Sequence, residues 1–344
     1  MAYTDIDFPA EYFNTLLYAG NSTGGRSITG VGFAPDFLWL KDRTTAGSAH
    51  FLSDTVRGDG KWLRTNGTFA ENTDTNVITS LDSDGFTVGT DVYSNNTGDN
   101  YVAWNWKANG AGVSNTDGTI TSTVSVSTTS GFSIVSYTGN SVSATVGHGL
   151  GVAPKFIIIK HRNDADDWTC YHTSLGASQR IQLNNTGASS ALSWGGSPTS
   201  SVFYLLGGGA TAVNVTGGTY IAYCFAEVKG YSKFGSYAGN NNADGTFVYT
   251  GFSPSFVLVK RYGGGTQNWV IYDNKRNTYN LTDSTLRPNT SGAEATNNGV
   301  DLLSNGFKFR SSDGDSNGYS DGYIYMAFAE HPFVTSTGIP TTAR

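Results

Sequence analysis

The sequence predicts an all-β protein of three tandem antiparallel β-sandwich or jelly-roll-like units, each of about 100 residues, the common size of one domain. Three observations predict it: a set of blocks repeated three times in one order, short aromatic and β-branched runs closed by charge, and a composition poor in helix formers. Of 344 residues, 13% are aromatic, 44 are Gly and only 14% are charged, against roughly 25% charged in an average soluble protein. Glu, Lys, Arg and Met are scarce while Ser, Thr and Asn are dense, a balance that favours strands and tight turns.

The first block is Tyr-x-Gly-Asn, at Tyr18–Asn21, Tyr137–Asn140 and Tyr237–Asn240. The second starts 17 residues after each Tyr, at Pro35, Pro154 and Pro254, and reads Pro-x-Phe, an apolar run, then Lys41, Lys160 or Lys260. A Pro tolerated at a strand start, followed by four or five apolar residues and a charge, reads as a central strand buried on both faces. Gly32, Gly151 and Gly251 precede the three Pro residues and supply a tight turn. The third block starts at Tyr101, Tyr220 and Tyr323, 66, 66 and 69 residues after the Pro. In its middle copy Tyr220, Ala222, Cys224 and Ala226 share one side and Ile221, Tyr223 and Phe225 the other, so this strand is also internal.

These blocks place the units at 12–113, 114–230 and 231–332, with an N-terminal arm at 1–11 and a polar tail at 333–344. The Ser/Thr-rich segment from Ser114 to Ser130 reads either as a linker or as an added edge strand. The arm, with Tyr3, Ile6 and Phe8 among Asp5, Asp7 and Glu11, reads as mobile until a partner orders it, and as too short for a fibre stem.

A net charge of −6 without a Lys/Arg cluster lacks the electrostatic footprint of a nucleic-acid binder. No run of 18 apolar residues is present, so no membrane helix is expected, and the start reads as lacking a standard secretion signal. Cys170 and Cys224 could form one disulfide at most; they read as two buried free thiols of a reducing compartment.

Residue type and spacing single out a few candidate sites. Asp313, Asp315, Asn317 and Asp321 fall at the spacing of an oxygen-rich calcium loop; the alternative is an Asx-rich hairpin turn. Calcium is the metal such a loop would take, and no other cofactor is required. Trp62, Trp194, Tyr204, Tyr231 and Tyr262 stand in Gly/Ser-rich contexts, where flat rings would stack on sugars or cover a subunit interface. The basic block after each central strand, Lys41-Asp42-Arg43, Lys160-His161-Arg162 and Lys260-Arg261, reads as a shared site for an acidic sugar or a partner carboxylate, or as a solvated strand end. No catalytic residues are assigned: the five His are scattered, Cys170 and His172 share a strand face with Trp168 that suits a core better than a dyad, and Glu227 and Glu330 close strands of separate units. The expectation is therefore that the protein is not an enzyme.

The runs Tyr12–Thr15 with Tyr18–Asn21, Gly30–Lys41 and Tyr101–Lys107 resemble a repeated β domain of uncharacterised function found in virion proteins of tailed bacteriophages, especially marine ones. The resemblance spans about residues 12–332, closest in the first unit. It implies a virion structural role, a tail fibre or tail-associated host-attachment component acting by binding and assembly, with a head decoration or head-fibre protein and a polysaccharide depolymerase as alternatives. It further implies assembly in the host cytoplasm into the virion, other virion proteins as partners, a host surface glycan as a ligand and, by analogy with phage attachment proteins, a homotrimer. Nucleic acid and membrane insertion are not expected.

Overall fold

Each Pro-x-Phe run forms the inner strand of a large sheet: Phe37–Asp42, Phe156–His161 and Phe252–Arg261. Its neighbours are the same three times. One side holds the last strand of the unit, Asn100–Trp106, Thr219–Phe225 or Gly322–Pro332. That strand pairs onward with the first, Phe13–Ala19, Phe132–Thr138 or Ser232–Ala238. The other side holds His50–Asp54, Thr169–His172 or Trp269–Asp273. All these pairings are antiparallel. The computed structural model describes residues 3–208 and 212–341, so the first two residues of the arm and the last three of the tail lie outside it.

A smaller antiparallel sheet covers one face of each large one. It contains Arg26–Thr29, Gly85–Val88 and Ile78–Asp82 in unit one, Ala144–Gly147 and Val202–Leu205 in unit two, and four strands between Phe247 and Phe309 in unit three. Each unit is thus a sandwich, and among the described residues helix is confined to a single turn at Val92–Asn95 and a 3-10 turn at Pro9–Glu11. The Ser/Thr-rich segment is an added edge: Val113–Asn115 and Ser122–Ser127 extend the large sheet of unit two.

Strand alternation decides where the cores lie. In the inner strands Leu38 and Leu40, Ile157 and Ile159, and Val257 and Val259 face the small sheet of their own unit. Phe37 and Trp39, Phe156 and Ile158, and Phe256 and Leu258 face the other way, into one cluster shared by all three units. The last strands contribute Trp104, Trp106, Tyr223, Phe225, Met326 and Phe328 to that cluster. Phe37 meets Tyr223 at 4.3 Å between ring centroids, Phe156 meets Trp269 at 6.3 Å and Phe256 meets Trp106 at 5.7 Å. The three large sheets therefore close a ring, unit one on two, two on three and three on one, around a common aromatic core.

The Tyr-x-Gly-Asn block has a structural meaning repeated in each unit. Tyr18 stacks on Tyr101 at 5.0 Å, Tyr137 on Tyr220 at 5.0 Å and Tyr237 on Tyr323 at 5.1 Å. A Cβ on Gly20, Gly139 or Gly239 would stand 2.1–2.4 Å from a backbone carbonyl oxygen, so only Gly fits. The Asn21, Asn140 and Asn240 N–H groups each donate to the side-chain oxygen of a buried asparagine, Asn95, Asn214 and Asn317. Gly32, Gly151 and Gly251 take φ of 88°, 73° and 85°, the left-handed turn expected of them.

The arm departs from the mobile segment expected. Ile6, 4% exposed, reaches the shared core, and the Thr4 hydroxyl donates to Lys229 O at 3.0 Å. Asp7 accepts from the N–H and hydroxyl of Ser336 in the tail. Of the apolar residues read as a partner-binding stripe, Ile6 is met by the chain's own core, while Tyr3 and Phe8 stay 62% and 70% exposed.

Candidate functional site

The chemistry-bearing side chains concentrate at the three seams between units. Across the first, the Tyr223 hydroxyl donates to Asp54 Oδ2 at 2.8 Å, and Arg57 Nε donates to the same oxygen at 2.5 Å. Arg57 Nη1 and the Nε and Nη2 of Arg162 reach Glu71. The seam between units three and one repeats this plan: the Trp104 indole donates to Asp273 Oδ2 at 3.0 Å, Arg276 pairs with Asp273 at 2.6 Å, and Arg43 and Arg276 share Glu294. The backbone follows the same cycle, with Glu71 N donating to Arg162 O, Ser189 N to Tyr262 O and Glu294 N to Arg43 O. Between units two and three the charged positions hold His172, Leu175, Ser189 and Tyr262 instead, and His172 Nε2 lies 3.3 Å from Tyr325 O. Burial holds the His172 imidazole down at about 4, so among the described residues these positions of the seam carry no ion pair.

Burial works to raise the Glu71 and Glu294 carboxyls, but their paired guanidiniums outweigh it and leave both below the ordinary range. Sequence reasoning missed these groups, although Asp-x-x-Arg recurs at Asp54–Arg57 and Asp273–Arg276, a spacing that marks the equivalent turn of units one and three.

The three lysines of the basic block are not a shared surface site, nor a solvated strand end. Lys41, Lys160 and Lys260 are 0% exposed, because the two-residue period that sends Phe37 and Trp39 inward sends Lys41 to the same face. Lys160 Nζ donates to the carbonyls of Thr68, His161 and Asp164 at 2.8–3.2 Å, and Lys260 Nζ to those of Thr186 and Gln267. Thr68 and Thr186 belong to the preceding unit, so these ammonium groups tie units together. Burial pulls all three down to about 8.

The aromatic binding candidates are largely interior. Trp62 and Trp194 are 4% and 3% exposed within the sandwich cores of units one and two, and Tyr231 is 0% exposed in the shared core. Tyr204 is half-buried on the strand Val202–Leu205, and Tyr262 packs half-buried against the shared core. Gly/Ser-rich flanks mark edges of strands here rather than exposed loops. The calcium-loop residues are drawn apart by other partners: Asp315 accepts from Asn268 and Arg287, Asp321 from Arg261, and Asn317 is the third copy of the buried asparagine staple. Asp313 caps the turn by accepting from Asp315 N at 2.7 Å. Among the described residues no group of three or more His, Cys, Asp or Glu side chains is placed to hold a metal ion. Cys170 and Cys224 are free and buried, in different cores.

Further chemistry lines surface cavities. Between the arm and unit three, a cavity of about 420 Å³ is lined by Tyr3, Asp5, Glu227, Lys229, Lys233 and Tyr249. Tyr3 and Tyr249 are 62% and 57% exposed, and Lys233 Nζ stands 3.7 Å from Glu227 Oε1. Exposed tyrosine faces with carboxylates and ammonium groups beside them suit the apolar face and hydroxyl rim of a sugar. Glu330 lines a different cavity, between units one and three, so the two strand-end glutamates do not meet.

Fold and seams define an all-β protein of three fused sandwiches closed around a shared core. The chain belongs to the family described as a domain of unknown function, DUF7483, whose model matches residues 8–332. No curated protein and no solved structure matches it.

Proposed function

We propose that the chain is a structural protein of a tailed-bacteriophage virion, a tail fibre or tail-associated component that attaches to the host by binding and assembly rather than by chemistry. The observation that carries this reading is where the functional groups stand. Buried Lys, Arg, Asp and Trp side chains, with the half-buried Glu71 and Glu294, are engaged in holding three units in one ring, while the exposed tyrosines and mixed charges of the arm cavity face solvent. A scaffold fixed by its own ionic groups suits display of a binding surface. The resemblance to phage virion domains supplies the particle, and the arm cavity supplies the place for a host glycan.

The test is imaging of purified particles whose genome encodes the chain, with antibody raised against the recombinant protein. Label on the tail or its fibres is the expected result. Label on the head surface would make the protein a decoration, and unlabelled particles would end the virion reading. Incubation with host polysaccharide should release no reducing ends; release abolished by an Asp or Glu substitution would make it a depolymerase.

A further inference from the structure

One position of the triplicate is filled differently in each unit. The residue after the seam lysine, paired in register with the Tyr that opens the last strand, is Asp42, His161 or Arg261. Two residues before that Tyr stand Asp99, Gly218 and Asp321. In unit three the two positions meet as an ion pair: Arg261 donates from Nε to Asp321 Oδ1 at 2.8 Å and from Nη2 to Oδ2 at 2.5 Å. The guanidinium carbon also lies 3.5 Å from the centroid of the Tyr319 ring. In unit two His161 Nδ1 lies 2.7 Å from Asp166 Oδ2.

Unit one has a carboxylate where unit three has a guanidinium and unit two an imidazole. Asp42 and Asp99, 1% and 7% exposed, both converge on Thr45: Asp42 Oδ1 accepts its N–H at 3.1 Å, and Asp99 Oδ1 accepts its hydroxyl at 3.0 Å. Their other partners are Thr44 N–H and the Asn96 amide, and among the described residues neither has an ion-pair partner. Both line an open cavity of about 300 Å³ with Ser48 and Tyr93. Ser48 is 2% exposed and its hydroxyl has no hydrogen-bond partner. Burial raises the Asp42 carboxyl and the Asp99 charge adds to it, while the Thr45 and Thr44 N–H bonds and the buried Lys41 ammonium oppose it; Lys41 Nζ donates to the backbone Asp42 O at 2.6 Å and, among the described residues, forms no ion pair with either carboxylate.

We propose that this cavity of unit one binds a guanidinium group brought from outside the chain, seated between Asp42 and Asp99 with Tyr93 beside it and the Ser48 hydroxyl as a further acceptor. The chain's own third unit supplies the template, a guanidinium held by a carboxylate and covered by a tyrosine ring, which is how planar cations are recognised. A hard metal fits less well, since calcium takes six to eight oxygen ligands and two carboxylates are all the anionic donors here. The cavity holds about ten waters' volume at roughly 30 Å³ each, room for an arginine head and part of its stem. The site stands whether or not the chain is part of a virion.

The test is calorimetric titration of the full chain with Nα-acetyl-arginine methylamide, whose termini carry no charge, against the uncharged citrulline analogue and calcium chloride. The arginine derivative should saturate at one per chain, with the citrulline analogue weaker by about tenfold or more. Asp42→Asn and Asp99→Asn should each weaken it about 10- to 100-fold, the loss of one charge-assisted hydrogen bond. Tyr93→Ala, at a half-exposed position that leaves the fold intact, should weaken it severalfold, and Asp321→Asn should leave it unchanged. No saturable binding, equal binding of the citrulline analogue, indifference to all three cavity variants, or displacement by stoichiometric calcium would each overturn the proposal.

Discussion

Tyr223 of the second unit donates its hydroxyl proton to Asp54 of the first at 2.8 Å, both side chains being buried. The bond joins two residues 169 positions apart, so it reports on the seam and not on either sandwich. Tyr223→Phe should destabilise the chain by about 1–3 kcal/mol, the range for a buried bond to a charged group, measured as a lower urea midpoint. An unchanged midpoint would show that the seam adds nothing to stability.

Lys160→Met should cost about 2–4 kcal/mol, because three carbonyls, one from the neighbouring unit, lose their donor while buried. A solvated strand end would lose under about 1 kcal/mol. Equilibrium denaturation of the whole chain separates the two.

Acid should loosen the two ionic seams. Glu71 and Glu294 have folded-state values below their ordinary 4.5, so in the window below 4.5 the unfolded chain binds more protons than the folded one. The stability these groups supply is complete above that window and is lost as pH falls through their folded values. The urea midpoint of the wild type should therefore fall more steeply below pH 4.5 than that of the Glu71→Gln, Glu294→Gln double variant. Parallel curves would remove the carboxylates from the seam energetics.

Removing residues 1–11 should lower stability by about 1.5–3 kcal/mol, the range for exposing the cavity left by one fully buried aliphatic side chain such as Ile6. A truncated chain as stable as the full one would return the arm to the role of a loose anchor.

The repeat, the turns and the inner strands were legible because three copies report the same constraint: Gly20, Gly139 and Gly239 each face a carbonyl that leaves no space for a side chain. The doubly apolar inner strands were legible too, but not what covers their second face. Phe37, Phe156 and Phe256 would look the same beneath a helix, a sheet or a sister unit. Lys41, Lys160 and Lys260 misled for a related reason, since a charge closing a strand normally meets water, whereas here backbone carbonyls take its place, Thr68 and Thr186 from across a seam and Asp42, His161, Asp164 and Gln267 from within the unit. Trp62 and Trp194 sit beside glycines that shape strand ends, and local composition does not distinguish that from an exposed loop.

The position held by Asp42, His161 and Arg261 shows what fusing three copies into one polypeptide permits. A ring of identical subunits must repeat every residue, so any seam, charge or cavity it has occurs three times. Here each copy has drifted on its own: two junctions carry Arg–Asp pairs where the third has His172, and the facing carboxylates Asp42 and Asp99 belong to unit one. The ring consequently has a front. A neighbour with true threefold symmetry would meet three unlike faces on this ring, and could not make the same contact with each.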